Sequence, residues 1–245
     1  MSPAVTTLRR QSLGVALAGG GCILLLGVSQ PRWLIGSFSV WVYCLWLLFH
    51  HLEDNRARGG DALIPSLGLP TAVTLLRGCL LAAVAGFFFV PIPQGPLVFV
   101  PAVGYSLASV LDNVDGRIAR AFSRTTRLGA RLDMELDAVG ILVASAVAIH
   151  FGKIPAWYLS IGLARYVFVA GIWWRERHGR VVETLAPSSY RRWLAGVQMG
   201  FLSVSLWPPV PTSLTFAVAP LFGGITLAMF LRDWLQVSGR LTRTA

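Results

Sequence analysis

Long apolar segments alternate with short polar connectors along almost the whole chain. A helix that crosses a membrane needs roughly 20 predominantly apolar residues. The connectors contain proline, glycine and charged residues, which are typical of helix ends and turns. The pattern therefore predicts an all-α integral membrane protein with about eight transmembrane helices. Their approximate positions are 12–29, 33–50, 71–91, 97–121, 129–150, 156–174, 193–208 and 213–233.

Composition and charge agree with this fold class. Of the 245 residues, 55% are hydrophobic and only 13% are charged, whereas about a quarter of the residues in a soluble domain carry a charge. The net charge of +10 comes mainly from arginines in the connectors, as expected for loops near anionic lipid headgroups. No polar segment carries a basic stripe with interleaved aromatic residues. We therefore predict membrane lipids, and no nucleic acid, as partners.

The distribution of basic residues also predicts the orientation of the helices. If both termini lie in the cytoplasm, only Arg32 and Lys153 fall in outward-facing loops, which satisfies the positive-inside rule. The polar segment 51–69 is interpreted as a cytoplasmic linker. It divides the chain into a two-helix membrane unit with this linker, residues 1–69, and a six-helix core, residues 70–245.

Acidic residues crowd the ends of two consecutive predicted helices. Carboxylates at or inside a membrane are costly, and they usually face a cavity and serve a function. Asp112 and Asp115 are three residues apart, Asp133 and Asp137 are four apart, and each pair shares one helical face. We expect these four carboxylates to converge with no cationic side chain among them, while Glu135 points elsewhere. The alternative interpretation is a set of helix-end carboxylates solvated by lipid headgroups.

Repulsion among four carboxylates would be relieved by divalent cations. All four side chains offer hard oxygen ligands, which favour Mg²⁺ or Mn²⁺ over zinc. The aspartate spacing therefore predicts a metal site between the two helices.

The spacing of glycine, alanine and arginine around the aspartates carries a family resemblance. From Asp112 the chain reads DNVDGRIAR, then eight residues, a glycine, three residues, an aspartate, three residues and Asp137. This resembles the pattern DxxDGxxARx₈GxxxDxxxD of the CDP-alcohol phosphotransferase (CDP-alcohol phosphatidyltransferase) family, and all eight fixed positions are filled. The resemblance implies a six-helix membrane core, here about residues 70–235.

The resemblance also implies a reaction and the residues that carry it. The family transfers a phosphoalcohol group from a CDP-linked donor to an acceptor hydroxyl and releases CMP. The resemblance implies that Asp112, Asp115, Asp133 and Asp137 bind two divalent cations, Mg²⁺ or Mn²⁺, and that Asp137 is also the general base. The residues implied to bind the CDP donor are Gly116, Ala119, Arg120, Gly129 and, from the segment that opens the core, Thr74 and Arg77. In that segment Thr71 stands where the family commonly has asparagine.

Arginines near the aspartates are candidates for binding the acceptor. Arg165 lies in the middle of a predicted membrane helix, where an arginine is expected to line a polar cavity. Together with Arg124, Arg127 and Arg131 it could form an anion pocket suited to a phosphorylated acceptor. The alternative interpretation is that the loop arginines contact lipid headgroups.

The leading functional hypothesis is a phospholipid-synthesis enzyme at the cytoplasmic face of the inner or plasma membrane. It would transfer a phosphatidyl group from CDP-diacylglycerol to a small polar alcohol, phosphorylated or not. Transfer of choline or ethanolamine phosphate from a CDP-alcohol to diacylglycerol is the competing hypothesis within the family. A divalent-ion transporter is disfavoured because no ladder of acidic residues crosses the membrane. An inactive scaffold and a homodimer are left open.

Overall fold

The computed structural model describes residues 3–57, 60, 62–121, 126–185 and 188–241, with residues 3 and 113–121 described by their backbone alone. Within these ranges the chain forms eight α-helices and four short 3₁₀ helices, and no strand. The all-α prediction is confirmed. The helices are α1 Pro3–Gly27, α2 Pro31–His50, α3 Gly68–Gly86, α4 Val100–Ala121, α5 Arg127–His150, α6 Leu159–Arg177, α7 Ser189–Ser205 and α8 Thr212–Val237.

Among the described residues, six helical segments are long and apolar enough to cross a membrane, in agreement with an integral membrane protein. They include α1, α2, α3, α6 and α8, together with the segment Gly95–Asp112 that contains the start of α4. Helix α5 falls short of this criterion because its first turns carry several charged residues, and α7 has only 17 residues. Helix α1 begins nine residues earlier than the apolar pattern predicted, since its first turns are polar but still helical.

Helix α3 lies at the centre of the bundle and packs against α2, α4 and α5. Its buried side chains join the main hydrophobic core, which contains Leu81 of α3 together with Trp41 of α2, Tyr105 of α4 and Val143 of α5. A second buried cluster joins α1, α2, the connector after α2, α3 and α5. It contains Leu8, Leu47, Leu48, Leu52, Leu67, Leu75, Leu128 and Leu132. The two N-terminal helices therefore share hydrophobic cores with the rest of the bundle, and the division at residue 69 stays a prediction.

Glycines allow α2 and α3 to approach closely. A β-carbon at Gly36 would overlap the Ala85 carbonyl and lie 2.8 Å from its carbon atom. On the facing helix, a β-carbon at Gly86 would overlap the Trp33 ring and the Ser37 hydroxyl. Backbone atoms cannot move aside as flexible side chains do, so Gly36 is required for this helix pair.

Gly36→Ala is therefore expected to lower the free energy of unfolding by about 1–3 kcal/mol through overpacking. The matched control is Gly21→Ala on α1, because nothing described lies within 4 Å of the added carbon there. Thermal unfolding of the purified protein in detergent measures both variants. Equal unfolding temperatures for the two would contradict the close approach of α2 and α3.

Candidate active site

The ends of α4 and α5 bring three of the four predicted aspartates together. Asp112, Asp133 and Asp137 each offer a carboxylate oxygen, and these oxygens all lie within 4.8 Å of one another. The positions of Asp133 and Asp137, one helical turn apart, place both on the side of α5 that faces α3 and α4. The fourth aspartate, Asp115, has its backbone on α4, and its side chain lies outside the described residues.

A buried arginine occupies the centre of this cluster. Arg77 of α3 is 2% exposed, and its Nη1 lies 2.6 Å from Asp112 Oδ1 and 2.9 Å from Asp133 Oδ1. Its Nη2 donates a hydrogen bond to Asp137 Oδ1. The expectation that the carboxylates meet without a cationic side chain is therefore wrong. The resemblance implied only a donor-site role for Arg77. Its contacts with Asp133 and Asp137, 56 and 60 residues further along the chain, could not be predicted from local spacing.

The aspartate cluster fits a divalent cation. Three ionised carboxylates and one guanidinium leave a formal charge of −2, and all the donor atoms are hard oxygens, which Mg²⁺ and similar ions prefer. The side chains of Asp112, Asp133 and Asp137 are 23%, 41% and 32% exposed, so all three carboxylates are partly accessible. Charge, atom type and access are thus all compatible with a bound metal.

The start of α5 is fixed by a side-chain cap. Thr126 accepts a hydrogen bond from the Gly129 backbone N–H at 2.9 Å through its hydroxyl oxygen, an arrangement that stabilises a helix N-terminus. A β-carbon at Gly129 would lie 3.2 Å from the Thr126 Oγ1 and 3.6 Å from the Thr71 Oγ1. Gly129 therefore lies where the first turns of α5 and α3 meet, next to the aspartates.

The other predicted donor residues have no tested role. Thr74 is buried, and its hydroxyl donates to the Pro70 carbonyl at 3.0 Å within the first turns of α3. Gly116, Ala119 and Arg120 are described by their backbone alone. Their contact with a CDP-linked donor stays a prediction.

Arg165 lies at a second polar cluster. Its Nη2 is 2.5 Å from Glu135 Oε1, and Glu135 Oε2 accepts a hydrogen bond from the Tyr43 hydroxyl at 3.2 Å. These groups line a cavity of about 400 Å³ between α2, α5 and α6. Its remaining lining residues are Tyr166, Val169, Ala170 and Trp173. Sequence reasoning missed Tyr43, which lies in a run of tryptophan and leucine that reads as ordinary membrane packing.

Arg131 contacts the connector that follows α2. Its Nη1 lies 2.9 Å from His51 Nδ1 and 3.7 Å from Asp54 Oδ2. Burial and the positive charge of Arg131 lower the pKa of His51, which favours the neutral imidazole that can accept this hydrogen bond. Arg131 and Arg165 are thus each paired with other side chains, and Arg124 lies outside the described residues. The role of these three arginines toward an acceptor stays a prediction.

The fold and the site together define an all-α membrane protein with a carboxylate cluster between two consecutive helices. The family model for CDP-alcohol phosphatidyltransferase matches residues 67–235, and the chain belongs to this family. It is accordingly an enzyme that transfers a substituted phosphate group. The predicted family resemblance is confirmed.

Two relatives share the name CDP-diacylglycerol–glycerol-3-phosphate 3-phosphatidyltransferase. The protein from Yersinia pestis (strain Pestoides F) is 31% identical over 150 residues, which cover 58% of this chain and 79% of the relative. The protein from Escherichia coli (strain K12) is 30% identical over 147 residues, which cover 58% and 78%. No solved structure matches the chain.

Proposed function

We propose that this membrane enzyme transfers a phosphatidyl group from CDP-diacylglycerol to glycerol 3-phosphate and releases CMP. The observation that carries the proposal is the convergence of Asp112, Asp133 and Asp137 between α4 and α5. The family membership supports the CDP-linked donor, and the names of the two relatives support the lipid and the phosphorylated acceptor.

In the reaction, an acceptor hydroxyl oxygen forms a bond to the phosphorus of the phosphatidyl group. The bond from that phosphorus to the bridging oxygen of the diphosphate breaks, and the bridging oxygen leaves with CMP. Asp137 is the proposed general base, because a carboxylate within hydrogen-bond reach of the hydroxyl can take its proton. Arg77 holds this carboxylate in place through its Nη2.

Two divalent cations, Mg²⁺ or Mn²⁺, held by Asp112, Asp115, Asp133 and Asp137, would neutralise the diphosphate and the CMP leaving group. The partial exposure of Asp112, Asp133 and Asp137 supports this assignment, since it leaves their carboxylates accessible to an ion.

The phosphate of the acceptor requires a cationic partner. Arg124, Arg131 and Arg165 are the candidates from the sequence. Arg165 is paired with Glu135 and would have to leave this carboxylate to bind the acceptor phosphate. An experiment can therefore distinguish binding of the acceptor from a purely structural ion pair.

The enzyme is an integral membrane protein, and we place its aspartate site on the cytoplasmic side of the inner or plasma membrane. The bias of arginines toward the connectors on one side of the predicted bundle supports this orientation. CDP-linked donors and phosphorylated alcohols are available on that side.

The test is CMP release by the purified protein in detergent, supplied with CDP-diacylglycerol, Mg²⁺ or Mn²⁺, and one acceptor at a time. We expect release with glycerol 3-phosphate, and we expect EDTA to abolish it. CMP release with inositol phosphate, inositol or serine, and not with glycerol 3-phosphate, would show that the acceptor is a different alcohol. Release only from CDP-choline or CDP-ethanolamine with diacylglycerol would replace the proposed reaction by the competing one.

A further inference from the structure

Helix α5 is held by ion pairs on two opposite faces. Asp133 and Asp137 contact Arg77 of α3, while Glu135, two residues from each, contacts Arg165 of α6. Successive residues of a helix are rotated by about 100°, so Glu135 points away from the side that carries the two aspartates. The rotation of α5 about its axis therefore determines both contacts together.

The N-terminal part of the chain contacts α5 at its first residue and at two positions on its Glu135 side. Positions 131 and 135 are four residues apart and share that side of the helix, while the Arg127 N–H is one of the free amides at the helix N-terminus. The contacts are Arg127 N–H to the Arg56 carbonyl at 3.0 Å, Arg131 Nη1 to His51 Nδ1 at 2.9 Å, and the Tyr43 hydroxyl to Glu135 Oε2 at 3.2 Å. One partner lies on α2 and two lie in the connector that follows it.

Apolar contacts support the same arrangement. Leu128 and Leu132 of α5 are buried in one cluster with Leu8 of α1, Leu48 of α2 and Leu52 of the connector. The N-terminal helices and the connector thus hold the beginning of α5 through backbone, charged and apolar contacts. All of these N-terminal partners precede residue 67, where the match to the family begins.

We propose that α1, α2 and the connector through Ala57 form a positioning module for the aspartate site. Tyr43 and Glu135 are its positioning residues: Tyr43 orients Glu135 toward Arg165, and this pair fixes the rotation of α5 that presents Asp133 and Asp137 to the site. The measurement of CMP release rests on the proposed function, whereas the measurement of Mn²⁺ binding does not depend on it.

The surroundings of the pair allow a clean test. Glu135 is 22% exposed and Arg165 is 30% exposed, both at the cavity between α2, α5 and α6. Water in the cavity can hydrate these groups when the phenol oxygen is removed, so Tyr43→Phe is expected to fold. Tyr166→Phe is the matched control, since it removes the other phenol hydroxyl of the same cavity wall and leaves the Tyr43–Glu135 hydrogen bond intact.

The first experiment measures Mn²⁺ binding by electron paramagnetic resonance and CMP release on the purified variants. Mutation of a residue that orients the metal ligands without binding the metal itself typically lowers metal affinity or activity by about 10- to 100-fold. We expect Tyr43→Phe to weaken Mn²⁺ binding and lower kcat by about tenfold, with an unchanged KM for the acceptor. Tyr166→Phe is expected to change neither. Equal Mn²⁺ affinity in the wild type and Tyr43→Phe would overturn the positioning role.

The second experiment exchanges the charges of the ion pair. Glu135→Arg and Arg165→Glu are each expected to reduce Mn²⁺ binding by at least about tenfold, because each places like charges together. The double variant restores opposite charges, and we expect recovery of both Mn²⁺ binding and CMP release. Asp233→Asn, which weakens the separate Arg191–Asp233 pair between α7 and α8, is expected to leave Mn²⁺ binding unchanged.

The outcomes separate three roles. Recovery of Mn²⁺ binding without CMP release in the double variant would support the positioning role of the pair and assign to Arg165 an additional contact with the acceptor. No recovery of either, in a variant that elutes as folded protein, would overturn the positioning role. A wild type that binds Mn²⁺ but releases no CMP with any substrate would refute the proposed function alone, and the Mn²⁺ measurements would still decide on the positioning module.

Discussion

Asp137→Asn is expected to lower metal-dependent CMP release by about 10²- to 10⁴-fold, the usual contribution of a general base. The amide has nearly the size of the carboxylate, but it cannot accept the proton of the acceptor hydroxyl. Its oxygen can still accept the hydrogen bond that Arg77 Nη2 donates to Asp137 Oδ1. The variant should therefore fold, and the loss should lie in the reaction.

The matched control for this variant is Asp233→Asn. Asp233 is likewise paired with an arginine, 3.1 Å from Arg191 Nη1, but it is buried and belongs to α8. We expect the control to retain CMP release within a few-fold of the wild type. If Asp137→Asn kept more than about a tenth of the wild-type rate, the loss would be smaller than a general base usually contributes. A group other than Asp137 would then have to accept the proton.

Features that depend on local sequence were predictable. Runs of apolar residues gave the eight helices, because a membrane span leaves a pattern within a single segment. The alternation of Asp133, Glu135 and Asp137 correctly predicted that Glu135 points away from the aspartates, since helical rotation follows from spacing alone. The family motif likewise lies within 26 consecutive residues.

Contacts between distant helices were not predictable in the same way. Arg77 precedes Asp133 by 56 residues, and Tyr43 precedes Glu135 by 92. Neither residue stands out from its apolar neighbours by spacing, and a membrane arginine can equally extend toward the headgroups. Only the packing of α3 against α4 and α5, and of α2 against α5, decides which polar partner each one meets.

Arg77→Gln is expected to destabilise the protein strongly when divalent cations are absent. Glutamine is neutral, so Asp112, Asp133 and Asp137 would face one another without the guanidinium that now contacts all three. Removing one partner of a buried ion pair typically costs about 3–5 kcal/mol. The aspartates are partly exposed, which favours the lower end of this range.

Arg77→Lys separates charge from geometry. Lysine keeps the positive charge but has a single ammonium group, whereas the arginine uses both of its terminal nitrogens on the cluster. We expect an unfolding temperature between those of the wild type and Arg77→Gln in EDTA. A lysine variant as unstable as the glutamine variant would show that the two-pronged contact, rather than the charge, stabilises the site.

Addition of Mn²⁺ connects the stability of these variants to the proposed metal site. An ion that binds only the folded protein stabilises it in proportion to its affinity, and a cluster without its arginine carries a more negative formal charge. Mn²⁺ should therefore raise the unfolding temperature more in Arg77→Gln than in the wild type. Arg191→Gln, which removes the ion pair with Asp233, should gain no more from Mn²⁺ than the wild type does. An equal gain in all three proteins would mean that the metal does not bind at the carboxylates that Arg77 holds together.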